Sequence, residues 1–178
     1  ISVGDGCTIA GLWKGLKDLY AIGFIDKLPR LISAQAEGCC PLNRAIANNE
    51  DWYPMEENTL ADSISVGVPR NADKALMAIR ESNGIAVNVS DEEILAAQRL
   101  LGRTCGVFGE PAGVTGAAAL KKACEEGLIP HDATVVSVVT GNGLKDVANA
   151  IKSAGEPIHI EPDLDLMVSE FRKRGVTV

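Results

Sequence analysis

From Thr8 onward, apolar residues recur at three- and four-residue spacing. Ile9, Leu12, Trp13, Leu16, Leu19 and Tyr20 fall on one stripe and predict a helix with one buried face. Gly11 and Gly15 in the same stretch would let this helix sit close to a sheet. Residues 1–3 read as the end of a strand. "RLISAQAEG" (30–38) reads as a buried strand ending near Glu37, and "CCPLNRAIANN" as a short helix after it. Residues 49–69 carry scattered Asn, Asp and Pro around the apolar "ADSISVGVP"; a loop this long in a compact domain is usually functional. "NADKALMAIRESNG" predicts a helix closed by Gly84, and "IAVNVS" a short strand. "SDEEILAAQRLL" opens with a capping box, Ser90 accepting from the third helical N–H while Glu93 reaches back. "EPAGVTGAAALKKACEEGL" places Pro111 at a first helical position and runs to Gly127. In "ATVVSVVTGNG" (133–143), Val135, Val136, Val138 and Val139 leave no polar face, which predicts a central parallel strand. A helix from Leu144 and a last one from about Asp163 complete the pattern. Strands alternating with helices predict an α/β fold, a parallel sheet covered by helices on both faces.

Composition narrows the function classes. The 178 residues suit one domain or part of a larger one. A net charge of −7 argues against nucleic acid, whose phosphates need clustered Lys and Arg. No apolar run approaches about 20 residues, so no membrane span is expected. The five cysteines (7, 39, 40, 105 and 124) form no C-x-x-C pair, and with only His131 and His159 beside them no metal site is expected. Unpaired cysteines with apolar neighbours point to a reducing cytoplasm.

The candidate chemistry begins at "VGDGCT" (3–8). Glycines at a strand-to-helix turn let backbone N–H groups approach an anion, and the helix adds unsatisfied donors and its dipole. Phosphate is the natural guest; a tight turn capped by Thr8 is the plain alternative. Asp5 would repel a phosphate, so its carboxylate is expected to turn away, into a bond with the loop's own backbone. A dinucleotide site is a second guest, with Glu37 in the ribose role, but G-x-G-x-x-G fails because Ile9 stands at the third position. Thr140 stands at the carboxyl end of the expected central strand, where α/β sheets bind ligands; its hydroxyl can meet a heteroaromatic nitrogen or cap the next helix. Lys145 is a candidate nucleophile, though a lysine in a first helical turn is more often a solvated surface charge, and Glu110 is a carboxylate suited to a helix start. Cys7 has no histidine close in sequence to act as its base.

Taken together, "SVGDGCTIAGLWKG", "QAEGC", "TLADSISVGVPRN", "VSDEEI", "EPAG" and "VVTGNGLKD" resemble threonine synthases in order and approximate spacing, over nearly the whole chain, fading after about residue 155. These are fold-type-II pyridoxal-phosphate (PLP) enzymes that convert O-phospho-L-homoserine and water to L-threonine and phosphate. The resemblance implies that Gly4, Asp5, Gly6, Cys7 and Thr8 hold the cofactor's phosphate and that Thr140 faces its pyridine nitrogen. It places Ser63, in "ADS", and Glu110 along the pocket. The family's Schiff-base lysine lies in a segment resembling Ser-Phe-Lys-Asp, which does not occur here; no lysine precedes Lys14. By the resemblance, residues 1–178 are the carboxyl-terminal part of the PLP-binding large domain. The lysine-bearing amino-terminal region and the small domain then lie outside the chain, and no catalytic residue lies within it. Alone, the chain is expected to be inactive and to bind PLP at best weakly. The expected partners are a small-molecule substrate, the amino-terminal portion and a second copy in a homodimer. A threonine dehydratase, a cysteate synthase and a non-catalytic nucleotide-binding module are the alternatives.

Overall fold

The computed structural model describes residues 1–155 and 158–177, so positions 156, 157 and 178 of the expected span lie outside the described residues. β1 (Ile32–Ala36) pairs in parallel with β2 (Ile85–Val89), from Ile32 opposite Ile85 to Ala36 opposite Val89. Residues 1–3 run parallel along the other edge of β1: Val3 N donates to Ala34 O (2.8 Å) and Ala34 N to Ile1 O (3.0 Å).

Helices cover both faces, as the alternation of elements predicts. On one face α5 (Pro111–Glu125) packs on both strands and on α4 (Asp91–Cys105), burying Ala34, Ala36, Val87 and Val89 against Ile94, Val114 and Ala119. On the other, α1 (Cys7–Ala21), α2 (Pro41–Asn48) and α3 (Ala72–Glu81) enclose Val3, Ile9, Trp13, Leu42 and Ile79. Ser33 and Gln35 also face α2, and their polarity is met there. Ser33 Oγ donates to Asn43 Oδ1 (2.6 Å), and Gln35 Oε1 accepts from Asn43 N (2.8 Å). The box at α4 forms as expected: Ser90 Oγ accepts from Glu93 N (3.2 Å) and Glu93 Oε2 from Ser90 N (2.8 Å).

Four expectations are corrected. Residues 133–140 form no strand. A strand needs a neighbour to pair with, and among the described residues the bonds that tie this segment to other elements come just past its end, Glu110 N to Gly141 O (2.9 Å) and Gly143 N to Phe108 O (2.8 Å); Val136 is 82% exposed. The apolar stripe of α1 is buried only at Ile9 and Trp13, because α3 covers a narrow band; Leu12, Leu19 and Tyr20 are exposed, and Gly11 and Gly15 face open space. α3 closes through Asn83, at φ 50°, while Gly84 N reaches Ile79 O at 2.8 Å. The helix expected from Leu144 is a single 3-10 turn (Gly143–Lys145), followed by α6 (Val147–Ala154) and then α7 (Leu164–Lys173).

Candidate functional site

The segment after residue 3 turns at once into α1, and Gly6 makes the turn. It caps the helix at φ 83° and ψ −2°, a left-handed conformation that costs an L-residue with a side chain about 1–2 kcal/mol. A Cβ there would also lie 2.7 Å from Ala75 Cβ and 3.0 Å from Asn71 O. Gly6 O accepts the first helical bond, from Ala10 N (3.2 Å), so the amides of Gly6, Cys7, Thr8 and Ile9 have no intrahelical partner. No side chain caps them, and no acidic residue occupies the first turn. α4, by contrast, begins with a complete capping box and three carboxylates.

Four open donors at the positive end of a helix suit an anion. Asp5 does turn away, but toward a different partner than expected: Oδ1 accepts from Arg70 N (3.1 Å), and Asn71 N donates to Asp5 O (3.0 Å). The carboxylate thereby ties the turn to the segment that starts α3.

Three distant segments close a cleft over this turn. The long loop contributes Ser63 and Ile64 through a 3-10 turn (Asp62–Ile64) that lies against Gly4; a Cβ on Gly4 would come 2.9 Å from Ile64 Cα. The start of α5 contributes Glu110 and Ala112, and the 140–145 segment contributes Thr140 and Lys145. The cleft has a volume of about 350 Å³, within the range of cofactor sites. Gly4, Asp5, Gly6, Cys7, Thr8, Ser63, Glu110 and Thr140, all expected to share one site, line it together. Glu37, the ribose candidate of the dinucleotide alternative, lies outside it and pairs with Lys122 at 3.2 Å.

Lys145 is the residue that local sequence undervalues. Its side chain is 63% exposed, as a surface lysine's would be, yet Nζ lies 3.3 Å from Ser63 Oγ and 3.3 Å from the Glu110 carboxylate. Glu110 is buried at the amino end of α5 without capping it. The available signal was the position of Lys145, five residues beyond Thr140 in a tight Asn142-capped turn.

The cysteines sort by environment. Cys7, Cys105 and Cys124 are exposed; Cys39 and Cys40 are buried, and burial pushes both thiols up from their ordinary value. At neutral pH a thiol reagent is expected to modify the three exposed positions quickly. Cys39 and Cys40 should follow only on unfolding or at more alkaline pH, where the thiolate forms. Quantified by peptide mass, rapid modification of either buried thiol at neutral pH would contradict this packing.

A family model described as pyridoxal-phosphate dependent enzyme matches residues 1–141. The chain is 43% identical over 169 residues to a threonine synthase of Methanocaldococcus jannaschii, covering 94% of this chain and 42% of that protein. It is 39% identical over 164 residues to one of Mycobacterium tuberculosis (91% and 44%), and 40% identical over 176 residues to one of Halalkalibacterium halodurans (99% and 48%). The chain thus spans less than half the length of these relatives. An alignment covering 99% of the chain also extends the likeness well past residue 155, where the motifs alone lose it. Among solved structures, maize serine racemase superposes with a TM-score of 0.62 at 20% identity over 97% of this chain and 46% of that one. Threonine deaminase isoform 2 of Solanum lycopersicum gives 0.63 at 20% identity over 86% and 43%. At this identity they establish the fold-type-II architecture alone.

Proposed function

We propose, from the premise that this chain belongs to the pyridoxal-phosphate dependent enzyme family, that it is the carboxyl-terminal part of the large domain of a cytoplasmic threonine synthase, a lyase converting O-phospho-L-homoserine and water to L-threonine and phosphate. The observation that carries the reading is the cleft. Residues from positions 4 to 140 converge on an uncapped helix start, within a chain aligned over nearly its full length with threonine synthases.

The residues present fit the cofactor. Its phosphate would be held by the amides of Gly6, Cys7 and Thr8, with Gly6 supplying the left-handed turn that presents them and Asp5 held off by Arg70 N. Thr140 would offer a neutral hydroxyl to the pyridine nitrogen, which would leave that nitrogen largely unprotonated. Ser63 and Glu110 line the remaining wall. When bound, pyridoxal phosphate supplies the electron sink that lets a proton leave carbon and the phosphate ester depart. The cofactor-bearing lysine comes from outside the chain, so turnover belongs to the full-length protein, expected as a homodimer.

The test is a pair of assays on the full-length protein. Phosphate release with threonine formation from O-phosphohomoserine is expected. Ketobutyrate from threonine without phosphate release would instead assign a dehydratase.

A further inference from the structure

A second cavity of about 500 Å³ adjoins the first, and the two share Ser63, Glu110, Ala112 and Lys145. Lys145 therefore stands on the wall between them, and among the described residues it is the one basic side chain lining either. Its bonds to Ser63 Oγ and Glu110, both 3.3 Å, are longer than the roughly 2.7–2.9 Å of a tight charge-assisted bond. The lysine is largely exposed, whereas the Glu110 side chain is 9% exposed. The ammonium is the solvent-facing member of the pair and its bonds are long, so a second anion can reach it from the open side of the cleft while Glu110 stays in the wall.

The donors add up to a site. With one N–H toward Glu110 and one toward Ser63, the ammonium keeps a third. Ser63 accepts from Lys145 and so keeps its own hydroxyl proton to donate. The nearby carboxylates do not compete equally for the cation. Asp146 uses both oxygens on Asn149, at 3.1 and 2.7 Å. Asp62 is exposed, where water and salt screen its charge. Among the carboxylates of the described residues, Glu110 is the one that reaches the ammonium.

We propose that Lys145, with the Ser63 hydroxyl, receives the phosphate group of the substrate and that Glu110 is the counterion it exchanges when that group arrives; this rests on the phosphohomoserine reading above. The cleft then has two anion sites with different physics. Backbone amides at the start of α1 hold the cofactor's phosphate, and a mobile point charge holds the group that must leave. A cation beside the departing oxygen stabilises the charge that develops there.

The test uses the full-length, cofactor-loaded enzyme titrated with inorganic phosphate, in parallel with steady-state kinetics. Lys145→Met is expected to weaken phosphate binding by about tenfold or more and to raise KM for O-phosphohomoserine by a similar factor. Cofactor occupancy and absorbance should not change. Lys145→Arg should recover most of the affinity, and Glu110→Gln should retain or tighten it by freeing the ammonium. The proposal is overturned if the wild type binds no phosphate, or if Lys145→Met leaves the affinity unchanged. It is equally overturned if Glu110→Gln weakens binding as much as Lys145→Met, since Lys145 would then act only by positioning Glu110. Failure of the threonine synthase reading is separately visible, as a wild type that makes no threonine, whatever the phosphate titration shows.

Discussion

Gly6→Val in the full-length enzyme is expected to abolish retention of the cofactor and to cost about 3–5 kcal/mol of stability. Two penalties fall on one residue. Valine at φ 83° is strained, and its Cβ would start 2.7 Å from Ala75 Cβ, on a helix packed into the core. Relief requires α1 to move away from α3 or the turn to reopen, and either scatters the amides of Gly6, Cys7 and Thr8. A stability of about 5–15 kcal/mol is typical of a domain, so much of the protein should still fold at low temperature. Denaturant unfolding and cofactor absorbance after gel filtration measure the two effects separately. A valine variant with native cofactor content would show that this turn does not hold the phosphate.

Thr140→Ala is expected to act in the opposite way, impairing catalysis and sparing the fold. Thr140 is exposed, and its hydroxyl makes no bond to a side chain or backbone group among the described residues, so stability should change by no more than about 0.5 kcal/mol. The turnover number should fall about 10- to 100-fold, the worth of one hydrogen bond to a group whose charge changes during reaction. Thr140→Ser, which keeps the hydroxyl, should restore most of the loss. An unchanged turnover number in the alanine variant would remove Thr140 from the site.

What the sequence made legible was written locally. Ser90 and Glu93 announce the start of α4 because both halves of the capping box lie within four residues. Pro111 announces α5 in the same way. The turn into α1 is readable because glycines precede a periodic helix immediately. Features that depend on distant partners were not readable. The valines of 133–139 have strand propensity, but a strand exists only beside another strand, and none of the described residues pairs with them along their length. The stripe on α1 signals a helix without saying how much of it is covered, and Ile9 and Trp13 are its buried members. Asp5 finds its acceptor role 65 residues away, at Arg70 N. Lys145 is the instructive case for function. Its neighbours in sequence are those of any surface lysine, and only the fold carries Ser63 and Glu110 to it.

The most direct test of the account is an experimental structure of the full-length enzyme with pyridoxal phosphate bound. The account predicts phosphate oxygens within about 2.7–3.2 Å of the backbone nitrogens at the start of α1, with the Thr140 hydroxyl at the ring nitrogen. A phosphate bound elsewhere, with the Gly6–Thr8 amides facing only water, would contradict it.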